Sequence, residues 1–150
     1  MKRSYHYTEC GLSNIYLQNG FRYKETPRGK AVSINNIDGL HTAIGLALVT
    51  TKRKLSGEEI RFLRHEMLIS QSTLASLLGS TEQTVHRWER GKTNIPKPSE
   101  ILLRLLYREH VSDQNGKIVK TLRKIANLEE KINDESIHFK DIDGEWQTAV

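Results

Sequence analysis

The stretch Ser70-Gln71-Ser72-Thr73-Leu74-Ala75-Ser76-Leu77-Leu78-Gly79-Ser80-Thr81-Glu82-Gln83-Thr84-Val85-His86-Arg87-Trp88-Glu89-Arg90-Gly91-Lys92 decides how the chain reads. Ser70 predicts the cap of one short helix, with Leu74, Ala75, Leu77 and Leu78 buried and Gly79 ending it. Thr81 predicts the cap of a second helix, which runs to about Arg90 and is closed by Gly91. Ala75 is small where the two helices approach each other. Leu74, Leu78, Val85 and Trp88 form the wedge that holds them at an angle, and Gly91 permits the left-handed exit.

Upstream, Ser56-Gly57-Glu58-Glu59 is a capping box, and Ile60, Phe62, Leu63 and Met67 supply the apolar face of a preceding helix. Downstream, Pro96 and Pro98 punctuate a loop before a helix from Ser99 to His110, with Ile101, Leu102, Leu105 and Leu106 expected to face inward. Thr51-Lys52-Arg53-Lys54 reads as a charged connector to a first segment of strands and one helix. There, Ile15-Tyr16-Leu17 and Phe21-Arg22-Tyr23 flank Asn19-Gly20, a type I′ turn pair. Thr26-Pro27-Arg28-Gly29 leads to a third strand, Ala31-Val32-Ser33-Ile34. Asp38 is the expected cap of a helix with Leu40, Ala43, Ile44, Ala47 and Leu48 on one face. This β-meander with a helix is too small to stand alone and needs the next segment or a second subunit. At the other end, the turn Asp113-Gln114-Asn115-Gly116 opens a tail in which Ile118, Leu122, Ile125, Leu128 and Ile132 mark about four turns of helix. The acidic stretch after Asn133 is expected to fray.

The 150 residues carry 23 Lys+Arg and 18 Asp+Glu, a net charge of +5, and 37% hydrophobic residues. That is enough to bury a core and too even for global disorder. Six basic and three acidic groups fall in residues 1–51, eleven and seven in 52–110, and six and eight in 111–150. A basic body with an acidic tail suggests a polyanion for the body and another partner for the tail. The longest uncharged apolar run, Ala43 to Val49, is far too short to span a bilayer. The opening Met1-Lys2-Arg3-Ser4-Tyr5-His6 lacks the apolar stretch of a signal peptide, so a cytoplasmic protein is expected. A single cysteine, Cys10, excludes an internal disulfide framework.

Two short helices joined by a glycine turn have the layout of a helix-turn-helix, whose second helix enters the major groove. Residues 70–92 resemble the Cro/C1 (XRE) repressors: Gln opens the first motif helix, Leu-Ala lies inside it, Gly sits at the turn, and Trp-Glu-Arg-Gly closes the second. The resemblance covers residues 56–109. It implies that Glu89 pairs with a basic residue of the preceding helix, Arg61 or Arg64. It also implies a DNA face of Gln71, Ser72, Thr81, Glu82, Gln83, Thr84, His86, Arg87, Lys92, Thr93, Asn94 and Lys97. Gln83 suits adenine, Arg87 guanine or phosphate, and Glu82 a cytosine N4, though an acid near phosphates is costly without a partner. Gln71 matches the residue that touches the DNA backbone and braces a base reader. Lys92, Thr93, Asn94 and Lys97 lie where these proteins grip phosphate.

The N-terminal unit is similar to that of MqsA (YgiT-type) antitoxins, which bind zinc through two Cys-x-x-Cys pairs. With Cys10 alone, and His41 among residues 39–45 where the second pair belongs, the zinc site is expected to be lost. His6, Cys10 and His41 would make only a poor three-ligand site. Cys10 reads as a buried structural residue. No Ser-His-acid or Cys-His spacing and no Gly-rich phosphate loop suggests an enzyme, and Glu66 near Arg61 and Arg64 reads as a surface salt link.

The sequence therefore predicts an α+β, mainly α, protein. Residues 1–51 form a β-hairpin/helix unit, 52–111 the helix-turn-helix domain and 112–150 an acidic amphipathic helical tail. The expected role is an autoregulatory, antitoxin-like repressor that needs no cofactor and binds operator DNA as a homodimer. The tail is a dimerisation helix or, with the N-terminal unit, the seat of a cognate toxin. An interaction module that has lost DNA binding is the alternative.

Overall fold

The computed structural model describes residues 3–51, 53–112, 116–127 and 135–149. It is α+β and mainly helical, with short antiparallel strand pairs towards both ends of the chain. In chain order the elements begin with β1 (Tyr5–His6), β2 (Tyr16–Leu17), β3 (Phe21–Thr26), β4 (Gly29–Ile34) and α1 (Ile37–Thr50). The helices α2 (Gly57–Glu66), α3 (Gln71–Leu77), α4 (Glu82–Glu89), α5 (Lys97–Ser112) and α6 (Lys117–Ala126) follow, then β5 (Phe139–Ile142) and β6 (Glu145–Thr148).

The N-terminal strands do not form the expected meander. β2 pairs with β1, and β3 pairs with β4 around Pro27-Arg28. Asn19-Gly20 is not a hairpin turn. Gly20 opens β3 at φ 80°, and its carbonyl accepts the Asn35 N–H at 2.8 Å. The longer β3–β4 ladder prevails over the three-residue pairing that an Asn-Gly reversal would give. Asn36, not Asp38, caps α1, accepting the Gly39 N–H at 3.2 Å from a left-handed backbone that asparagine tolerates. Asp38 sits in the first turn, where its charge suits the helix dipole. On α1, Ile44 and Leu48 are buried as expected, Leu40 is half-buried, and Ala43 and Ala47 are exposed.

One hydrophobic cluster runs through the molecule, from Tyr7, Leu12 and Leu17 through Leu48, Leu63, Leu74 and Trp88 to Leu103 and Tyr107. Two polar clasps reinforce it. Arg104 on α5 donates to the Val49, Thr51 and Arg53 carbonyls at 2.7–3.1 Å and to Glu100 at 2.5 Å. It thereby satisfies carbonyls at the C-terminus of α1. The second clasp joins Tyr7, His41 and Glu66. His41 Nδ1 lies 2.7 Å from the Glu66 carboxylate and Nε2 lies 2.7 Å from the Tyr7 hydroxyl. Both ring nitrogens of His41 are thus engaged, one by a carboxylate and the other by a phenol hydroxyl. Burial holds the Tyr7 hydroxyl above its ordinary pKa. Glu66 is thus partnered by His41 on α1 rather than by Arg61 or Arg64.

Three successive helices end in the same left-handed turn, at Leu68, Gly79 and Gly91. In each, the next N–H reaches back to a carbonyl five residues earlier: Ile69 to Arg64, Ser80 to Ala75, and Lys92 to Arg87. Leu68 is the one without glycine, at φ 57° and 90% exposed. Leu68→Gly is therefore expected to stabilise the fold by about 0.5–1 kcal/mol, seen as a higher urea midpoint. A lower midpoint would contradict that reading.

Two helical readings need correction. On α5 the buried stripe is Leu103, Leu106 and Tyr107, while Ile101 and Leu105 are exposed and Leu102 is half-buried. The run Ile101-Leu102-Leu103-Arg104-Leu105-Leu106-Tyr107 is apolar at nearly every position, so periodicity alone does not select the face. In the tail, part of the expected helix is present as α6, but the fraying expected after Asn133 does not hold over residues 139–148. α6 carries Lys117, Lys120, Arg123 and Lys124 with no acid. The buried Glu109 of α5 serves its first turn, accepting the Ile118 N–H at 2.7 Å. Ile118 and Leu122 pack on the core and Ile125 is exposed. Residues 139–148 pair as β5–β6 instead of fraying. Asp113, Gln114, Asn115, Leu128 and Ile132 lie outside the described residues.

Candidate nucleic-acid interface

The predicted caps hold α2, α3 and α4 in place. Ser56 and Glu59 exchange hydrogen bonds as a capping box, Ser70 accepts the Thr73 N–H, and Thr81 accepts the Thr84 N–H. The wedge is as read: Leu74, Leu78, Val85 and Trp88 are all buried, and so is the small Ala75. α3 packs on α4, and α4 on α2.

A buried ion pair fixes the far end of α4. Arg64 donates from Nε and Nη2 to the two oxygens of Glu89, at 2.7 and 2.9 Å. Arg64 also donates to the Ile69 carbonyl at 3.0 Å, and Gln71 Nε2 reaches Glu89 at 3.2 Å. One carboxylate thus ties the end of α2, the start of α3 and the end of α4. This makes Glu89 a structural group and settles its partner as Arg64. Next to the pair, Arg64 Nη2 lies 3.2 Å from His65 Nε2. Burial, then the Arg64 and Arg61 guanidinium groups, hold His65 below its ordinary pKa of 6.5. The folded state favours neutral His65, so its contribution is present above pH 6.5 and lost as pH falls through the depressed value. His65→Gln is expected to flatten that part of a urea-midpoint profile against pH. A profile unchanged below pH 6.5 would contradict this.

The expected DNA-facing residues separate into two groups. Glu82, Gln83, His86 and Arg87 on α4 are exposed, as are Ser72 on α3 and Lys92, Thr93, Asn94 and Lys97 beyond α4. Gln83, His86 and Arg87 lie on the face of α4 opposite Val85, Trp88 and Glu89, at the three- and four-residue spacing of one helix side. Thr81 and Thr84 are turned to local work, with their hydroxyls 2.8 Å apart and Thr84 half-buried. Gln71 is half-buried on Glu89, which fixes its carboxamide at the start of α3. Sequence reading missed Arg90. It is exposed and joins His86, Arg87, Lys92 and Thr93 around an open depression of about 400 Å³. Its signal is the spacing of three from Arg87, which puts both guanidinium groups on one side.

Residues 60–103 match the helix-turn-helix family. The matched segment runs from α2 through α3 and α4 into α5, so it contains the wedge, the ion pair and the exposed side of α4. It supports a DNA-binding regulator of the XRE type. No curated protein and no solved structure matches the chain. No helix among the described residues is long and apolar enough to cross a membrane.

The residues weighed for a metal are occupied separately. His6 Nε2 is 2.7 Å from the Ser13 carbonyl, Cys10 Sγ donates to the Tyr7 carbonyl, and His41 is held by Tyr7 and Glu66. Cys10 is half-buried rather than buried, and burial pushes its thiol pKa up, which disfavours the thiolate. Among the described residues, no three His, Cys, Asp or Glu side chains are grouped to hold a metal ion.

Proposed function

We propose that the chain is a cytoplasmic, sequence-specific transcriptional repressor that binds operator DNA as a homodimer and controls its own gene. The observation that carries this reading is the two-sided α4. Val85, Trp88 and Glu89 lock it to the core while Gln83, His86 and Arg87 project outward. A helix so fixed presents base-reading groups with little ordering cost on binding. Gln83 reads adenine, Arg87 reads guanine or phosphate, and Arg90, Lys92, Thr93, Asn94 and Lys97 hold the flanking backbone. One eight-residue helix spans few base pairs, so paired half-sites supply the specificity. The role is one of binding rather than catalysis. The resemblance of the N-terminal unit to MqsA-type antitoxins extends the proposal to a cognate toxin as a second partner.

The test is a gel shift on DNA upstream of the chain's own gene, against a scrambled competitor at two salt concentrations. Specific binding that weakens with salt is the expected result. Salt-sensitive binding without sequence preference would move the operator elsewhere. No binding would favour an interaction module whose helix-turn-helix has lost DNA.

A further inference from the structure

Between α3, α5 and α6 lies an open pocket of about 460 Å³ that the DNA-binding reading does not use. Small-molecule sites span about 300–1,000 Å³, so the space is of the right size for one. None of its lining residues belongs to the expected DNA face. Met67, Ile69, Leu77, Leu106 and Val119 give it an apolar floor without an aromatic ring. Leu77 and Leu106 are buried and the other three are half-buried against them, so this floor is continuous with the core.

The charged groups of the lining select the sign of an occupant. His110, Lys120 and Arg123 are exposed, and among the described residues no ion pair reaches any of them. Lys120 and Arg123 are three apart on α6, which sets both on one side of the helix. The acid in the lining, Glu109, is buried and already accepts the Ile118 and Val119 N–H groups at 2.7 and 3.4 Å. It meets the N-terminus of α6, where the helix dipole offsets its charge. A cleft edged by cations over low-dielectric walls concentrates anions, and a guanidinium takes a carboxylate through two N–H groups at once. The five floor residues offer no hydrogen-bonding side chain, so the body of an occupant must be apolar.

We infer that this pocket binds an aliphatic carboxylate, its alkyl chain on the apolar floor and its head group held by Lys120 and Arg123. The alkyl chain lies against Leu77 near the end of α3, Met67 and Ile69 in the segment before α3, and Leu106 on α5. The head group is held from α6, so one small molecule ties α6 to the helix-turn-helix. Binding requires neither DNA nor a second copy of the chain, and the site stands independently of the repressor reading.

Isothermal titration calorimetry of the full chain with decanoate tests this, with decyltrimethylammonium as a probe of similar length and opposite charge. The wild type is expected to bind one decanoate per chain, and to bind decyltrimethylammonium at least tenfold more weakly. Lys120→Glu with Arg123→Glu is expected to lower decanoate affinity at least tenfold and to reverse the preference between the two probes. Both positions are exposed, and an unchanged urea midpoint checks that this variant folds. Val119→Phe, which fills the pocket from α6, is expected to weaken decanoate binding by a similar factor. No binding of decanoate by the wild type would overturn the inference. So would equal affinity for the two probes, or wild-type decanoate affinity in either variant, since each would leave an apolar surface without a head-group site. Loss of binding in Phe139→Ala with Trp146→Ala would also overturn it, by placing decanoate on the exposed rings of the β5–β6 hairpin.

Discussion

Replacing Glu89 with alanine is expected to destabilise the fold by about 3–5 kcal/mol. Glu89 is 8% exposed and its partner Arg64 is nearly as buried, so the substitution strands a guanidinium inside the protein. Gln71 loses its contact at the same time. The geometry is bidentate, the arrangement in which an arginine–carboxylate pair is strongest. What the pair contributes over an apolar replacement is much smaller, because its attraction largely offsets the cost of removing two charges from water. Arg64→Met with Glu89→Leu is therefore expected to recover most of the loss. Urea unfolding of the two single variants and the double variant gives the coupling directly. Additive losses in the double variant would show that Arg64 and Glu89 act independently.

Gly57→Ala is expected to cost about 1–3 kcal/mol and to weaken DNA binding with it. Gly57 opens α2, and a Cβ there would lie 2.5 Å from the Trp88 carbonyl oxygen and 2.6 Å from that of Glu89. Those oxygens belong to the backbone at the end of α4, so the clash is relieved only if α2 and α4 move apart. That movement displaces the helix proposed to read DNA, which makes this a packing change felt at the interface. A variant with wild-type stability and wild-type binding would show that the two helices have slack at this contact.

What the sequence revealed follows the range of the interactions. The helix caps at Ser56, Ser70 and Thr81 and the glycine exits at Gly79 and Gly91 are local, and each was legible from its own few residues. The wedge was legible because Leu74, Leu78, Val85 and Trp88 fall on consistent faces around one turn. The Arg64–Glu89 pair spans 25 positions and was narrowed to two candidates only through the family resemblance. His41–Glu66, at the same separation, had no such guide, and Glu66 was assigned to its sequence neighbours instead. The first segment offered two turn signals, Asn19-Gly20 and Pro27-Arg28, and the pairing of Tyr16–Leu17 with Tyr5–His6 is fixed by contacts that neither reveals. In the tail, Asp143-Gly144 between Phe139–Ile142 and Glu145–Thr148 is a hairpin signal that the acidic composition overshadowed. At the candidate interface, exposure along α4 followed from helix periodicity. That Thr81 and Thr84 spend their hydroxyls on each other depends on side-chain geometry that spacing does not show.

Selection of bound sequences from a random duplex library, run in parallel for the wild type, Gln83→Ala and Arg87→Ala, tests the central claim most directly. The wild type is expected to enrich a two-fold related pair of half-sites. Each variant is expected to lose preference at one position of the half-site, by about 1–3 kcal/mol of discrimination, while keeping the rest. No enriched sequence from the wild type, or the same sequence with the same preferences from all three proteins, would contradict the assignment of α4 as the helix that reads DNA.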